Sequence, residues 1–240
     1  MAIAKVSAGR GPAWIREAIE LVTDRPAVWI GGTAALFGLT LAFNLIPYVG
    51  WIFNRALQFI VIILALCFAH AQAQGADFNL DEALQRTKSR LLRLILMMVI
   101  STLLFFICAL PLMGAIVAAG GMELLMQQQS SLPDLSFTMT LVLAFGALIS
   151  GLASTVAFAA TSFTTPLILF QNQSISNALR LSLKAVKENL GALLLFALLI
   201  ALLLIVCVIP FGLGLIFGLP TAMASIYVIY EELLGKVESL

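Results

Sequence analysis

Two rows of cations share one spacing in this 240-residue chain: Arg86, Arg90 and Arg93, then Arg180, Lys184 and Lys187, each at i, i+4, i+7. On a helix that spacing lines the side chains along one face. A basic row opposite an apolar stripe gives a helix that lies at headgroup depth and gains about 1 kcal/mol per cation from anionic lipid. These six residues are the candidates for contact with a membrane surface or a partner. A second group is hydroxylic. Ser150, Ser154, Thr161 and Thr164, with Pro166 just beyond, form either a polar path through a spanning helix broken at the proline or a close-packing face. Gly146, Ser150 and Ser154 recur at intervals of four, as do Ala147, Gly151 and Thr155, which suits close helix approach.

Catalytic chemistry finds few materials. The single histidine, His70, cannot build an H-E-x-x-H zinc motif, and its neighbours in "AHAQAQG" offer amides alone. Cys67, Cys108 and Cys207 stand far apart inside apolar runs, which fits neither a disulfide framework nor a zinc site; they read as buried small side chains. No serine sits in a nucleophile elbow, and no phosphate-binding glycine loop is present. "FGLGLIFG" (211–218) lacks the strand, helix and lysine such a loop needs and reads as a tight turn. The sequence therefore predicts no catalytic, cofactor-binding or metal-binding residue, no cofactor and no enzyme.

The elements that position these residues follow from composition. The chain is 62% hydrophobic and 10% charged, against about 45–50% and about 25% in soluble domains. Apolar stretches fall at 27–48, 51–70, 94–118, 137–170, 190–209 and 213–230. Since a span needs about 20 apolar residues, they predict six spans and leave no room for a soluble domain. The fourth is too long for one straight span, and Pro166 is the expected bend: one long bent helix, or two half-spans. The formal net charge of +1 says nothing about partners, but its distribution does. With six spans, twelve of the 13 Lys and Arg fall on one side and Arg55 alone on the other, so the positive-inside rule puts both termini in the cytoplasm. Arg55, Glu123, Glu231 and Glu232 all fall at predicted span ends. Residues 1–25 interleave cations with acids ahead of a first apolar run long enough to remain as a span, unlike a cleavable signal peptide.

Aligning "NLIPYVGWIF" (44–53) with "CVIPFGLGLIF" (207–217) matches Pro47 to Pro210. Each proline lies about two dozen residues beyond an amphipathic segment, an estimate within the reach of one span plus its turn. The first segment, "AWIREAIELVTDR" (13–25), shares Trp14, Ala18, Leu21 and Val22 on a face; the last, "ISNALRLSLKAVK" (175–187), shares Ile175, Leu179, Leu183 and Val186. A middle copy begins at Asn79, which caps with Glu82, carries Leu80, Leu84, Thr87, Leu91 and Leu94 as its stripe, and ends in a span followed by Pro111. The predicted fold is thus an all-α membrane protein in one polytopic domain, 1–240. Six transmembrane helices form three helical hairpins, each preceded by an interfacial amphipathic helix, with approximate repeats 13–75, 79–172 and 174–235. The acidic polar face of the first surface helix, Glu17, Glu20 and Asp24, would pair with a basic one if the three closed a collar. The outer loop 122–136 is a flexible connection or a docking segment.

"AWIREAIELVTDRPAVWI", "NLIPYVG", "HAQAQGADFNLDEAL" and "SISNALRLSLKAVKENLGALLL" with "VIPFGLGLIFGLP" together resemble a group of bacterial inner-membrane proteins, the YciC-like and "predicted integral membrane protein" families. The resemblance covers most of the chain. It implies six spans with the surface-helix repeat, and similar membrane regions joined to glycerophosphodiester phosphodiesterase domains hint at lipid proximity. It supplies no site residues. The resulting expectation is a non-enzymatic integral membrane protein of the bacterial inner membrane. It would act through membrane lipids with anionic headgroups and through another membrane protein or a second copy of itself, with no nucleic acid. The alternative is a transporter or channel for a neutral or amphiphilic solute.

Overall fold

The computed structural model describes residues 3–118, 137–209 and 211–235. Among them are ten helices and no strand. In order these are α1 (Arg10–Asp24), α2 (Pro26–Asn44), α3 (Gly50–Ala73), α4 (Leu80–Lys88), α5 (Leu91–Ala118), α6 (Phe137–Ser162), α7 (Thr164–Gln171), α8 (Ile175–Glu188), α9 (Leu190–Val208) and α10 (Leu215–Leu234). Five helical segments are long and apolar enough to cross a membrane: α2, α3, α5, the 35-residue run α6–α7, and α9. Their apolar side chains face outward. In α9 only Ala192 is buried, while Leu194, Leu198, Leu202 and Ile205 form an exposed ridge. Water-soluble monomers do not carry apolar walls of this extent; lipid is their solvent, and the chain is a multi-pass membrane protein.

The sixth apolar stretch folds as α10 but differs in kind, with eleven of its twenty residues buried. It occupies the middle of the bundle, packed on α1, α2, α3, α7 and α9. The three returning helices α3, α7 and α10 touch one another, and the pairs α2–α3, α5–α6 and α9–α10 pack as hairpins. The three short amphipathic helices are each laid on the preceding hairpin: α4 on α3, α8 on α6 and α7, and α1 on α9 and α10. The last contact closes the order into a ring.

Local chemistry accounts for the hairpins. In the α2–α3 turn Asn54 donates from Nδ2 to Asn44 Oδ1 at 2.7 Å, and Gly50 lies where any Cβ would strike the Phe43 carbonyl. Tyr48 (φ 65°) and Phe211 (φ 53°) are exposed non-glycine residues in the left-handed region. They are separated by the same offset as the aligned Pro47 and Pro210. Pro111 departs from expectation: it lies inside α5 rather than after it. A proline there withholds one helix hydrogen bond, and beside it the Leu112 N–H donates to Ser150 Oγ of α6 at 2.9 Å. Gly146 admits the Pro111 turn, since a Cβ would stand 2.4 Å from that of Ala115. The Gly146–Ser150 ridge is therefore a packing face, whereas Gly151 and Thr155 look outward.

The long fourth stretch is one bent span. A single non-helical residue, Phe163, separates α6 from α7, and Pro166 stands in the first turn of α7, where its missing N–H costs no helix bond. The Phe163 N–H donates to Ser182 Oγ of α8 at 3.3 Å.

Two predicted stripes need correction. The buried face of α8 is Ala178, Leu181, Ser182 and Ala185, with Ile175, Leu179 and Val186 at its margins. Small side chains, weak in any hydrophobic pattern, are what let this helix approach the bundle. On α4, Ala83 is buried while Leu80, Leu84 and, just beyond, Leu91 are exposed, so these three leucines face away from the protein; Leu94, the last residue of the predicted stripe, is fully buried in the core. The Asn79 cap does form, its Oδ1 accepting from Asp81 N at 2.9 Å and Glu82 N at 3.4 Å. The α1 stripe holds as read for Trp14, Ala18 and Val22. The outer loop 122–136 lies outside the described residues.

Candidate functional site

Among the described residues, every Lys and Arg except Arg55 belongs to or flanks the end of the bundle carrying α1, α4 and α8. The predicted surface residues there divide in two. Arg93 is turned inward: its Nη1 donates to the Asn172 and Gln173 carbonyls at 2.9 and 3.0 Å, and its Nη2 to Asn172 Oδ1. It clasps the turn between α7 and α8, where Asn172 adopts φ 55°. Arg86 pairs with Glu82 at 3.1 Å and lies over the Phe170 ring, 5.7 Å from its centre. Arg90 donates to the Arg86 carbonyl at 3.2 Å; burial, then the charges of Arg86 and Arg93, lower its pKa. By contrast Arg180, Lys184 and Lys187 are exposed along α8, and Lys184 meets only Glu188, one turn on, at 3.8 Å.

The acidic first helix does not reach for a basic one. Glu20 pairs with Arg16 at 3.4 Å and Glu17 with Arg10 at 2.9 Å, both within α1. Across the interface, Glu232 of α10 accepts from Arg10 Nη2 at 2.7 Å and from Trp14 Nε1 at 2.5 Å. Burial alone would raise the Glu232 carboxyl, but these two donors outweigh it and hold the pKa below its ordinary value. The Arg10 guanidinium is correspondingly raised, first by its bond to Glu232. Asn189, buried between α8 and α9, holds the N-terminal segment, accepting from Val6 N at 2.8 Å and donating to the Ala4 carbonyl at 2.9 Å. His70 is packed in the same region, its ring 4.6 Å from that of Phe170 and its Nδ1 3.2 Å from Tyr227 Oη. Among the described residues no three His, Cys, Asp or Glu side chains gather as a metal site.

The other feature lies at mid-depth. The α5–α6 hairpin packs on α7, which packs on α3, while α5 itself meets α3 at Trp51–Phe106 and Arg55–Thr102. Where α3 and the hairpin diverge a cavity of about 320 Å³ opens. Ser154 and Thr161 of the predicted polar path line it, with Arg55, Gln58, Ser101 and Ser162. Ser150 and Thr164 do not: both are buried, Ser150 against α5 and Thr164 donating to the Ala160 carbonyl. Pro166 is buried in α7. Arg55, assigned by hydropathy to a span end, extends from the second turn of α3 to donate from Nε to Thr102 Oγ1 at 3.1 Å. Thr102 stands about 16 Å from one end of α5 and about 24 Å from the other at 1.5 Å per residue, so the guanidinium belongs to the interior of the bundle. A charged group at that depth is the usual mark of function, and a hydropathy window has no means of seeing a side chain reach away from its own backbone.

Comparison with protein-family models, with curated proteins and with solved structures found no match to this chain.

Proposed function

We propose that this chain is a non-enzymatic, six-span protein of the bacterial inner membrane that acts at its cytoplasmic surface through anionic lipid and a protein partner. The observation that carries the reading is the pairing of two surface faces at one end. The exposed cations Arg180, Lys184 and Lys187 of α8 lie at the same end as the exposed Leu80, Leu84 and Leu91. Outward leucines suit the acyl boundary and outward cations suit the headgroup phosphates above it. Two features favour α10 as the sixth crossing. Its first turn packs at the α9 turn, with Gly214 against Cys207. Its far end receives Gln171 Nε2 on the Leu234 carbonyl at 2.6 Å. The recurring order of surface helix, crossing and return favours the three-unit repeat, in which α1, α4 and α8 are corresponding surface helices; the first and last units also match in their Tyr48 and Phe211 turns.

The test is native mass spectrometry of the protein released from vesicles of mixed phosphatidylglycerol and phosphatidylcholine. The triple variant Arg180→Gln, Lys184→Gln, Lys187→Gln is expected to retain less phosphatidylglycerol while melting as the parent does. Retention equal to the parent's would sink the surface reading. A second reading, passage of an amphiphilic solute, is favoured by one specific observation, the mid-depth cavity lined by Ser154, Thr161 and Arg55.

A further inference from the structure

We infer that the cavity between α3 and the α5–α6 hairpin is a binding site for a single-chain anionic amphiphile, a fatty-acyl carboxylate drawn from the membrane, with its head on Arg55. The inference rests on the bundle being embedded in lipid, as proposed above, but not on the surface cations. Charge gives the head. Among the described residues no carboxylate lies within ion-pair distance of Arg55. A guanidinium inside a membrane bundle is costly without a counter-charge. With Nε engaged on Thr102, the donors that remain to its planar fork are the two Nη groups, the arrangement that meets a carboxylate.

Most of the wall hydroxyls do not compete for that role. Ser101 donates to the Met98 carbonyl at 2.9 Å, Thr161 to Ala157 at 2.9 Å and Ser162 to Phe158 at 2.6 Å. Each spends its proton on its own helix. Ser154 and Gln58 also line the wall and can add neutral donors to a bound head. Arg55 is the charged donor among the lining residues.

Shape gives the tail. Below Arg55 the α3 wall continues through Phe59, Ile62 and Leu66, about 16 Å along the helix axis, facing Leu104 of α5 and Phe158 of α6. About 320 Å³ lies at the small end of the range for ligand pockets, about 300–1,000 Å³, and suits one acyl chain rather than a two-chain phospholipid. Phe105 and Phe158 line the cavity and are also exposed on the outer surface, so the opening faces the lipid phase.

The experiment uses the full chain in phosphatidylcholine nanodiscs, where no anionic lipid is present for the surface cations. A photoactivatable palmitate is cross-linked and its attachment mapped by peptide mass spectrometry. Label is expected on the α3, α5 and α6 segments around the cavity, competed by palmitate and about tenfold more weakly by palmityl alcohol, the ratio that loss of one charge-assisted contact implies. Arg55→Gln should lower the labelling by a similar factor. Ala157→Phe, which keeps the guanidinium and fills the wall, should lower it too, and decides the matter if Arg55→Gln does not fold. Label spread evenly over outward faces such as α9, or equal competition by the alcohol, would overturn the inference while leaving the surface reading intact. Lost phosphatidylglycerol retention in the α8 triple variant bears on that reading alone.

Discussion

Glu232 gathers a guanidinium and an indole N–H from α1 onto one carboxylate of α10, and its consequence is a pH dependence of known sign. Its folded pKa is depressed, so the stabilisation is fully present above the unfolded carboxylate value, about 4.3, and is lost as pH falls through the folded value. Thermal unfolding in a mild detergent should therefore weaken on the acid side, below about pH 5. Glu232→Gln should be less stable at neutral pH and show a flatter acid limb. An acid limb unchanged by Glu232→Gln would assign the loss to other carboxylates. The sequence offers no sign of this contact, because Arg10 and Glu232 lie at opposite ends of the chain and each looks like an ordinary interfacial charge. Arg55 was hidden for a related reason. Its backbone sits near the start of α3, and only its hydrogen bond to Thr102 carries the charge inward. By contrast Arg180, Lys184 and Lys187 were legible, since an exposed row on one helix is a purely local property.

At the scale of the element, hydropathy located the helices to within a few residues, as with 190–209 against Leu190–Val208. It misjudged what holds them. The break at Phe163 has a contact from outside its own helices, Ser182 Oγ of α8 accepting the Phe163 N–H at 3.3 Å. A buried N–H deprived of its acceptor costs about 1–3 kcal/mol. Ser182→Ala should therefore destabilise the protein by about that amount in an unfolding titration, whereas Ser162→Ala, which removes a hydroxyl bonded back to its own helix, should be nearly neutral. Equal effects of the two would mean that the bend is set by Pro166 and its neighbours alone. The bend has a functional bearing: it is where α6 leaves α7 and the cavity opens. The face that carries this serine does not stand out in the sequence because Ala178, Ser182 and Ala185 carry little hydrophobic signal, although small size is what close approach requires.

At the scale of the whole molecule, the ring of clasped hairpins is the property least visible in the sequence. The helices α4 and α8 each pack on the hairpin before them, and α1 packs on the last. Nothing local to residues 10–24 encodes a partner near residue 232. The same ring bears on topology. If α10 is a crossing helix, the six crossings return the C-terminal end to the side of α4 and α8, where Glu232 meets Arg10 of α1 and the Leu234 carbonyl meets Gln171 of α7. The two ends of the helix test this. With Cys67, Cys108 and Cys207 replaced, single cysteines at Tyr48→Cys and Phe211→Cys, both at exposed turns, should react with a membrane-impermeant maleimide added outside intact cells. Ser176→Cys and Glu231→Cys, exposed at the other end, should react only after the membrane is opened. Labelling of Glu231→Cys in intact cells would remove α10 from the set of crossings and, with it, the basis for three equivalent hairpins. It would leave the cavity between α3 and the α5–α6 hairpin unchanged, because that site requires of α10 only that Ile226 face it.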